Sequence, residues 1–320
     1  MSRSGQVESA LPAERPESGV FAACVEAAKP GITRLVTITA LVGLLLAGLH
    51  RGDLTLADWF RLVVGVVIGT ALAAGGANAL NMWYESDRDA RMRRTAGRPI
   101  PSARLSSGFV FFLGLGLVVS GTAVLWVLCG VIPALVALAS AGSYIVLYTP
   151  LKPLTIWNTL VGAVPGALPT MIGTSAVSTA PGFEPLADPV GLALFSLMMV
   201  WQIPHFLAIA WMCRADYELG GFRMLPAIDP TGKLTAWIIV ATSVLLIPVS
   251  ASIVFIIPDL LGWATIIACV GLGLLLVAYG MRVAVHPTEK MARKAFIASI
   301  IHLPVLLMVM VGEALVRTIV

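Results

Sequence analysis

Charge is what this chain lacks most. Asp, Glu, Lys and Arg together make up 12% of the 320 residues, whereas hydrophobic residues make up 58%. A soluble globular protein carries about 25% charged and about 45–50% apolar residues. So few charges cannot cover a water-facing surface, which excludes an ordinary soluble enzyme and a disordered chain. Cysteine is scarce as well. Cys24, Cys129, Cys213 and Cys269 are far apart and match no metal-ligand spacing. Neither a disulfide-stapled domain nor a zinc site is expected; three of the four lie in apolar runs, as small buried hydrophobes do. Ten-residue segments of strand-like alternation are missing too, which argues against a barrel.

What is present is apolar sequence in long stretches, with a mean hydropathy of +0.92. A spanning helix needs about 20 mostly apolar residues. Nine such runs are found, over 31–49, 59–83, 108–127, 129–148, 155–178, 189–213, 235–257, 261–281 and 295–317. They are apolar all round and not along one stripe, which separates them from amphipathic surface helices. The expected fold is an all-α integral membrane protein, a bundle of nine transmembrane helices around a central cavity open toward the cytoplasmic side. That domain is expected over 29–320, after a polar cytoplasmic tail over 1–28 whose first 20 residues are poorly ordered. The tail has no basic n-region followed by an apolar h-region and cleavage site, so no signal peptide is expected.

Lys and Arg orient the bundle. Eighteen of the 21 fall in the N-terminal segment and in the loops after the second, fourth, sixth and eighth runs; only Arg51, Arg61 and Arg317 fall on the other side. The N-terminus is therefore expected in the cytoplasm and the C-terminus outside, in a cell inner (plasma) membrane. The net charge of +4 is this topology signal, and no nucleic-acid partner is implied.

Polar groups in membrane helices are costly and merit attention. At the cytoplasmic end of the second run, Asn81, Glu85 and Asp89 are spaced i, i+4, i+8. On a helix they fall within about 80° of each other, on one face. Three oxygen ligands, two of them anionic, suit a hard cation such as Mg²⁺, which usually binds a substrate phosphate as well. Arg94 and Arg98 follow, where phosphate oxygens would need donors. A loop of topology charges would explain the arginines, but not Asn81 and Glu85 continuing the register of an apolar run.

A second cluster closes the sixth run, from Trp201, Gln202 and His205 to Arg214 and Asp216. Two acidic clusters on one side of the membrane could face each other across one cavity. On a continuous helix His205 and Asp216 share a face, about 16 Å apart; Pro204 is the expected place for a kink. His205 is either an interhelical hydrogen-bonding residue or a substrate-binding one. Lys152 is the only base in its loop, so it is a topology charge or a phosphate ligand.

These residues resemble a known family. Asn81-x-x-x-Glu85-x-x-x-Asp89 looks like the first aspartate-rich motif of intramembrane polyprenyltransferases, the UbiA superfamily. The runs Arg94-Thr95-x-x-Arg98-Pro99, Tyr148-Thr149-Pro150-Leu-Lys152, Trp201-Gln-x-Pro204-His205-Phe206 and Asp216-Tyr217-x-x-Gly220-Gly221 resemble its protohaem IX farnesyltransferase (haem O synthase) branch. Two positions depart from the wider pattern: Glu85 stands where Asp is frequent, and Gly220 stands where a second acid would follow Asp216.

The resemblance implies farnesyl transfer from farnesyl diphosphate to a vinyl group of haem B. It implies Mg²⁺ on Asn81, Glu85, Asp89 and Asp216, the residues also expected to carry catalysis. It implies substrate contacts from Arg94, Arg98, Tyr148, Lys152 and Arg214, with His205 orienting the haem. Partners implied are the lipid bilayer and haem A synthase or oxidase assembly factors. Two alternatives stand beside it, a sister polyprenyltransferase acting on an aromatic or quinone precursor and a haem or lipid carrier.

Overall fold

The structure, a computed structural model, describes residues 19–319. Nine helices in this range are long and apolar enough to cross a membrane. They are α1 (Pro30–Arg51), α2 (Leu56–Asp89), α3 (Ser107–Cys129), α4 (Val131–Leu151), α5 (Asn158–Val177), α6 (Pro189–Met212), α7 (Lys233–Ile256), α8 (Trp263–Val285) and α9 (Glu289–Ile319). Consecutive helices from α1 to α9 pack side by side, α1 also packs on α5, and α6 on α9. The ring closes where α9 returns to α1, and that contact is light.

The helix ends follow local chemistry. Thr55 and Asp58 form a capping box at the start of α2, which satisfies two backbone donors reciprocally. Ser106 accepts from Phe109 N at α3, and Asp188 accepts from Gly191 N ahead of Pro189 at α6. The outward faces carry Phe112, Trp126, Phe255 and Ile267, all well exposed, as lipid-facing side chains are.

Small residues let backbones meet. On α2, Gly69 and Gly76 lie against Gly121 and Gly114 of α3. On α5, a Cβ at Gly173 would overlap the Ala40 carbonyl of α1.

The structure departs from the sequence expectations in three places. Of the tail expected over 1–28, residues 1–18 lie outside the described residues, and Val20–Ala27 is a short helix. Ala23 and Ala27 bury one face of it against Ala79, Met82, Leu105 and Val110, which is why it does not stay a polar tail. The second departure is length: α2 runs on to Asp89, six residues beyond the apolar run. Asn81, Glu85 and Asp89 therefore sit on one continuous helix.

The third concerns α6. It passes through Pro204 unbroken and ends at Met212, because Cys213 (φ −104°, ψ 19°) leaves the helical region. A short helix, Arg214–Leu219, begins after the break. His205 and Asp216 are thus on two helices, and the shared face expected for them does not exist.

The Gly173 contact makes a prediction. Gly173→Val should destabilise the protein by about 1–3 kcal/mol, the usual cost of overpacking, seen as a lower Tm of the detergent-solubilised protein. Gly116→Ala on α3 should not lower Tm, since nothing lies within 4 Å of the added carbon and alanine favours the helix.

Candidate active site

The bundle encloses a cavity of about 620 Å³. Its charged end is lined by Lys29, Asn81, Glu85, Asp89, Arg94, Arg98 and Lys152; its other walls are mostly apolar. Trp201, Gln202, His205 and Phe296 line the wall made by α6 and α9, and Thr39, Thr70, Ala137 and Ile172 the far end. Ile32 of α1 and Ile300 of α9 line the cavity and are 52% and 44% exposed. They belong to the two helices whose mutual contact is lightest around the ring.

At the charged end both buried acids of α2 have a base beside them. Lys152 Nζ lies 2.7 Å from Glu85 Oε1, and Arg98 Nη1 donates to Asp89 Oδ2 at 2.6 Å. Lys29 Nζ donates to Asn81 Oδ1 at 2.6 Å, and Asn81 Nδ2 donates to Thr149 Oγ1 at 3.0 Å. Glu85 is 4% exposed and Asp89 fully buried, so without such partners both charges would be heavily penalised. Burial works against the charge on Lys152, but Glu85, Tyr148 and Tyr144 together outweigh it and hold this lysine above its usual range. Burial, followed by repulsion from Arg98, pulls Lys29 down to about 7.

Three connecting segments form the rim. Thr95 Oγ1 donates to the Asp89 carbonyl and folds the α2–α3 loop back under the helix end. The 216–226 segment leans on the other two segments. Arg223 N donates to the Lys152 carbonyl at 2.8 Å, and Phe222 lies below both Arg88 and Lys152. In α4 a π-helical stretch, Ser143–Tyr148, places Tyr144 and Tyr148 on the cavity. Such bulges recur at functional sites.

Most of the expected site residues converge here, and two do not. Asn81, Glu85, Asp89, Arg94, Arg98, Tyr148, Lys152 and His205 all line the cavity. Asp216 sits on the rim, with its carboxylate 4.0 Å from Arg94 Nε, but does not line the cavity. Arg214 points elsewhere: it pairs with Glu289 at 3.2 Å and lies over Trp211. The break at Cys213 is the reason, because it turns the residues after it off the α6 axis.

Sequence reasoning missed Lys29, Tyr144 and Phe222. Lys29 looked like one more topology charge; its left-handed backbone (φ 48°), uncommon for a non-glycine residue, has no signature in the sequence.

Among the described residues no three His, Cys, Asp or Glu side chains make a ready metal cage. Mg²⁺ does not need one, since it is usually held by one or two carboxylates, waters and substrate phosphates. Asp89 Oδ1 is buried and has no hydrogen-bond partner, and the oxygens of Asn81 and Glu85 share its helix face. These hard, partly unsatisfied oxygens fit Mg²⁺.

The sequence profile of the UbiA prenyltransferase family matches residues 36–303. The chain belongs to this family. A relative called protoheme IX farnesyltransferase, from Solibacter usitatus, is 39% identical over 290 residues, covering 88% of this chain and 95% of the relative. Another of that name, from Rhodopirellula baltica, is 37% identical over 296 residues, covering 91% and 99%.

UbiA-type structures share the fold. A digeranylgeranylglyceryl phosphate synthase superposes with a TM-score of 0.70 at 14% identity, over 92% of this chain and 98% of the other. A UbiA homologue from Archaeoglobus fulgidus, bound to GPP and Mg²⁺, gives 0.53 at 12% identity, over 90% and 98%.

The pairing at the UbiA charged end can be measured directly. Removing one partner of a buried pair costs about 3–5 kcal/mol. Arg98→Met should cost about 3 kcal/mol, the low end of that range, because its side chain is 22% exposed. Asp89→Asn combined with Arg98→Met should cost less than Arg98→Met alone, as read by thermal unfolding in detergent.

Proposed function

We propose that the protein transfers the farnesyl group of farnesyl diphosphate to a vinyl group of protohaem IX (haem B), giving haem O and pyrophosphate. The observation that carries this reading is one cavity with a charged, oxygen- and cation-lined end and an apolar, aromatic-lined chamber. Both substrates are lipophilic, and the relatives that match nearly the full chain bear the name of this activity.

Lys152, Arg98 and Arg94 would bond the diphosphate oxygens with charge-assisted hydrogen bonds. Asn81, Glu85 and Asp89 would hold Mg²⁺, with Asp216 on the rim as a further acid. Bound there, Mg²⁺ supplies Lewis acidity and neutralises charge on the departing pyrophosphate. Ionisation leaves an allylic cation on the farnesyl group. Tyr144, Phe206 and Phe296 line the chamber around it, and aromatic faces attract a cation. The apolar walls keep water off that cation until the vinyl carbon has attacked. Water then adds to the new cation beside the porphyrin and gives up a proton to the released pyrophosphate, which leaves a hydroxyethylfarnesyl substituent. His205, on the α6 wall, would orient the haem.

The basic residues support an orientation with the charged end and the N-terminus in the cytoplasm and the C-terminus outside, in the plasma membrane. The bases of the even-numbered loops share one end: Arg104 pairs with Glu26, Arg94 with Asp216 and Arg214 with Glu289. Arg51 and Arg317 bond to backbone carbonyls of Val177 and Pro258 at the other end. The single nine-helix domain over 29–320 belongs to the same reading. So does association with haem A synthase or oxidase assembly factors, which rests on the resemblance alone.

The decisive assay is pyrophosphate release from farnesyl diphosphate by purified protein given haem B or 4-hydroxybenzoate. Release that depends on Mg²⁺ and on haem is expected. Haem-independent transfer to 4-hydroxybenzoate would favour the sister enzyme, and no release at all a carrier. Glu85→Ala and Asp89→Ala should each remove most turnover while the protein still inserts; wild-type-like rates in either would overturn the Mg²⁺ assignment.

A second prediction concerns Arg98. Arg98→Ala should lower kcat/KM about ten- to a hundredfold, the worth of a charge-assisted hydrogen bond of about 1.5–3 kcal/mol. Arg98→Lys should recover only part, because lysine lacks the planar fork. Arg93→Ala is the control, since Arg93 is exposed and away from the cavity.

A further inference from the structure

Ser299 is on α9 and is 1% exposed. Its hydroxyl touches two groups at once. Oγ is 2.6 Å from the carbonyl of Phe296 on the same helix and 2.8 Å from Nδ1 of His205 on α6. A carbonyl only accepts, so the single hydroxyl hydrogen goes to Phe296. Toward His205, Ser299 Oγ is then the acceptor, and the ring hydrogen must sit on Nδ1. Nε2 keeps a bare lone pair. No hydrogen bond to Nε2 is found among the described residues, and His205 lines the chamber.

The same serine also holds the ring stacked on the imidazole. Trp201 Nε1 donates to the Ser299 carbonyl at 3.0 Å. The indole stands 4.8 Å from the imidazole at 20°, and Phe296 stands 5.0 Å away. The imidazole is thus fixed in rotation by its neighbours and in tautomer by the serine. This is the arrangement in which histidine ligates a metal: one nitrogen donates to a fixed oxygen, and the other offers its lone pair. Mg²⁺ is a poor match, because it prefers oxygen, and the proposed Mg²⁺ residues are on α2, not α6. Among the proposed substrates, only haem brings a metal that takes imidazole.

Resting on the haem reading above, we propose that Ser299 is a positioning residue. It locks His205 in the Nδ1–H tautomer, so that Nε2 serves as an axial ligand to the haem iron. Haem would then be held by its iron at the α6–α9 wall, with a vinyl edge turned to the farnesyl group.

The test is a haem titration of the purified full-length protein, followed at the Soret band, beside binding of labelled farnesyl diphosphate. Wild type and Ser299→Thr, which keeps the hydroxyl, should share one Soret position and one affinity. His205→Ala should lose the nitrogen-ligated spectrum, and added imidazole should restore it. Ser299→Ala should weaken haem binding about ten- to a hundredfold, as loss of a ligand-orienting partner does, with farnesyl diphosphate binding as in wild type.

A wild-type Soret band in His205→Ala overturns the ligation. Wild-type haem affinity in Ser299→Ala overturns the lock, and so does equal loss of both ligands, which would mark a merely structural serine. All three outcomes are compatible with haem-dependent transfer by the wild type. Failure of that transfer, with 4-hydroxybenzoate accepted instead, would remove the haem reading and this proposal together.

Discussion

Two carboxylates buried at the end of one membrane helix are the constraint on which the charged end depends. Glu85 and Asp89 have almost no solvent contact, so their charge must be met by protein cations. None of those cations comes from the body of α2. Lys29 comes from the segment before α1, Arg98 from the loop after α2, and Lys152 from the turn after α4. Meeting the charge therefore draws three separate parts of the chain to one point. That convergence forms a rim of alternating sign around the mouth of an otherwise apolar chamber. Such a rim suits a ligand that carries its own negative charge and brings a cation.

The rest of the chamber follows from how membrane helices pack. Lipid supplies no hydrophobic drive between helices, so close contact comes from small residues. The α1–α5 crossing at Gly173 and the glycine pairs between α2 and α3 make tight walls. The light α9–α1 contact leaves one thin side, where Ile32 and Ile300 line the chamber. Polar substrate groups can then meet the rim while apolar ones lie against the apolar walls. This division matches the two ends of a prenyl diphosphate.

The sixth helix divides its work at Cys213. Before the break, Trp201, Gln202 and His205 project into the chamber and are tied to α9 and α5 by hydrogen bonds. After it, Asp216 and Tyr217 join the rim through Arg94. A stretch that reads as one motif thus contributes to two chemically different regions. A straight helix could not do both, because the side chains past the break would continue along the wall instead of turning over the mouth.

Composition and periodicity determined the membrane class, the nine spans and the common side of the basic loops, since these depend on hydropathy and charge counted along the chain. The shared face of Asn81, Glu85 and Asp89 was legible for the same reason: i, i+4, i+8 spacing fixes direction on any continuous helix, and it needed only α2 to extend to Asp89. What required the tertiary structure was whatever depends on which distant segments meet. Lys29 sits 52 residues from Asn81 in sequence, so only folding turns it from a topology charge into part of the site. Arg214 was misread because the break at Cys213 is a single backbone rotation without a proline or glycine to announce it. The Val20–Ala27 helix was hidden for a similar reason: its small apolar face has meaning only against α2 and α3. Ser299, one hydroxyl in an apolar run, gains a role only because α9 lies beside α6, and helix adjacency is set by packing, which no local pattern encodes.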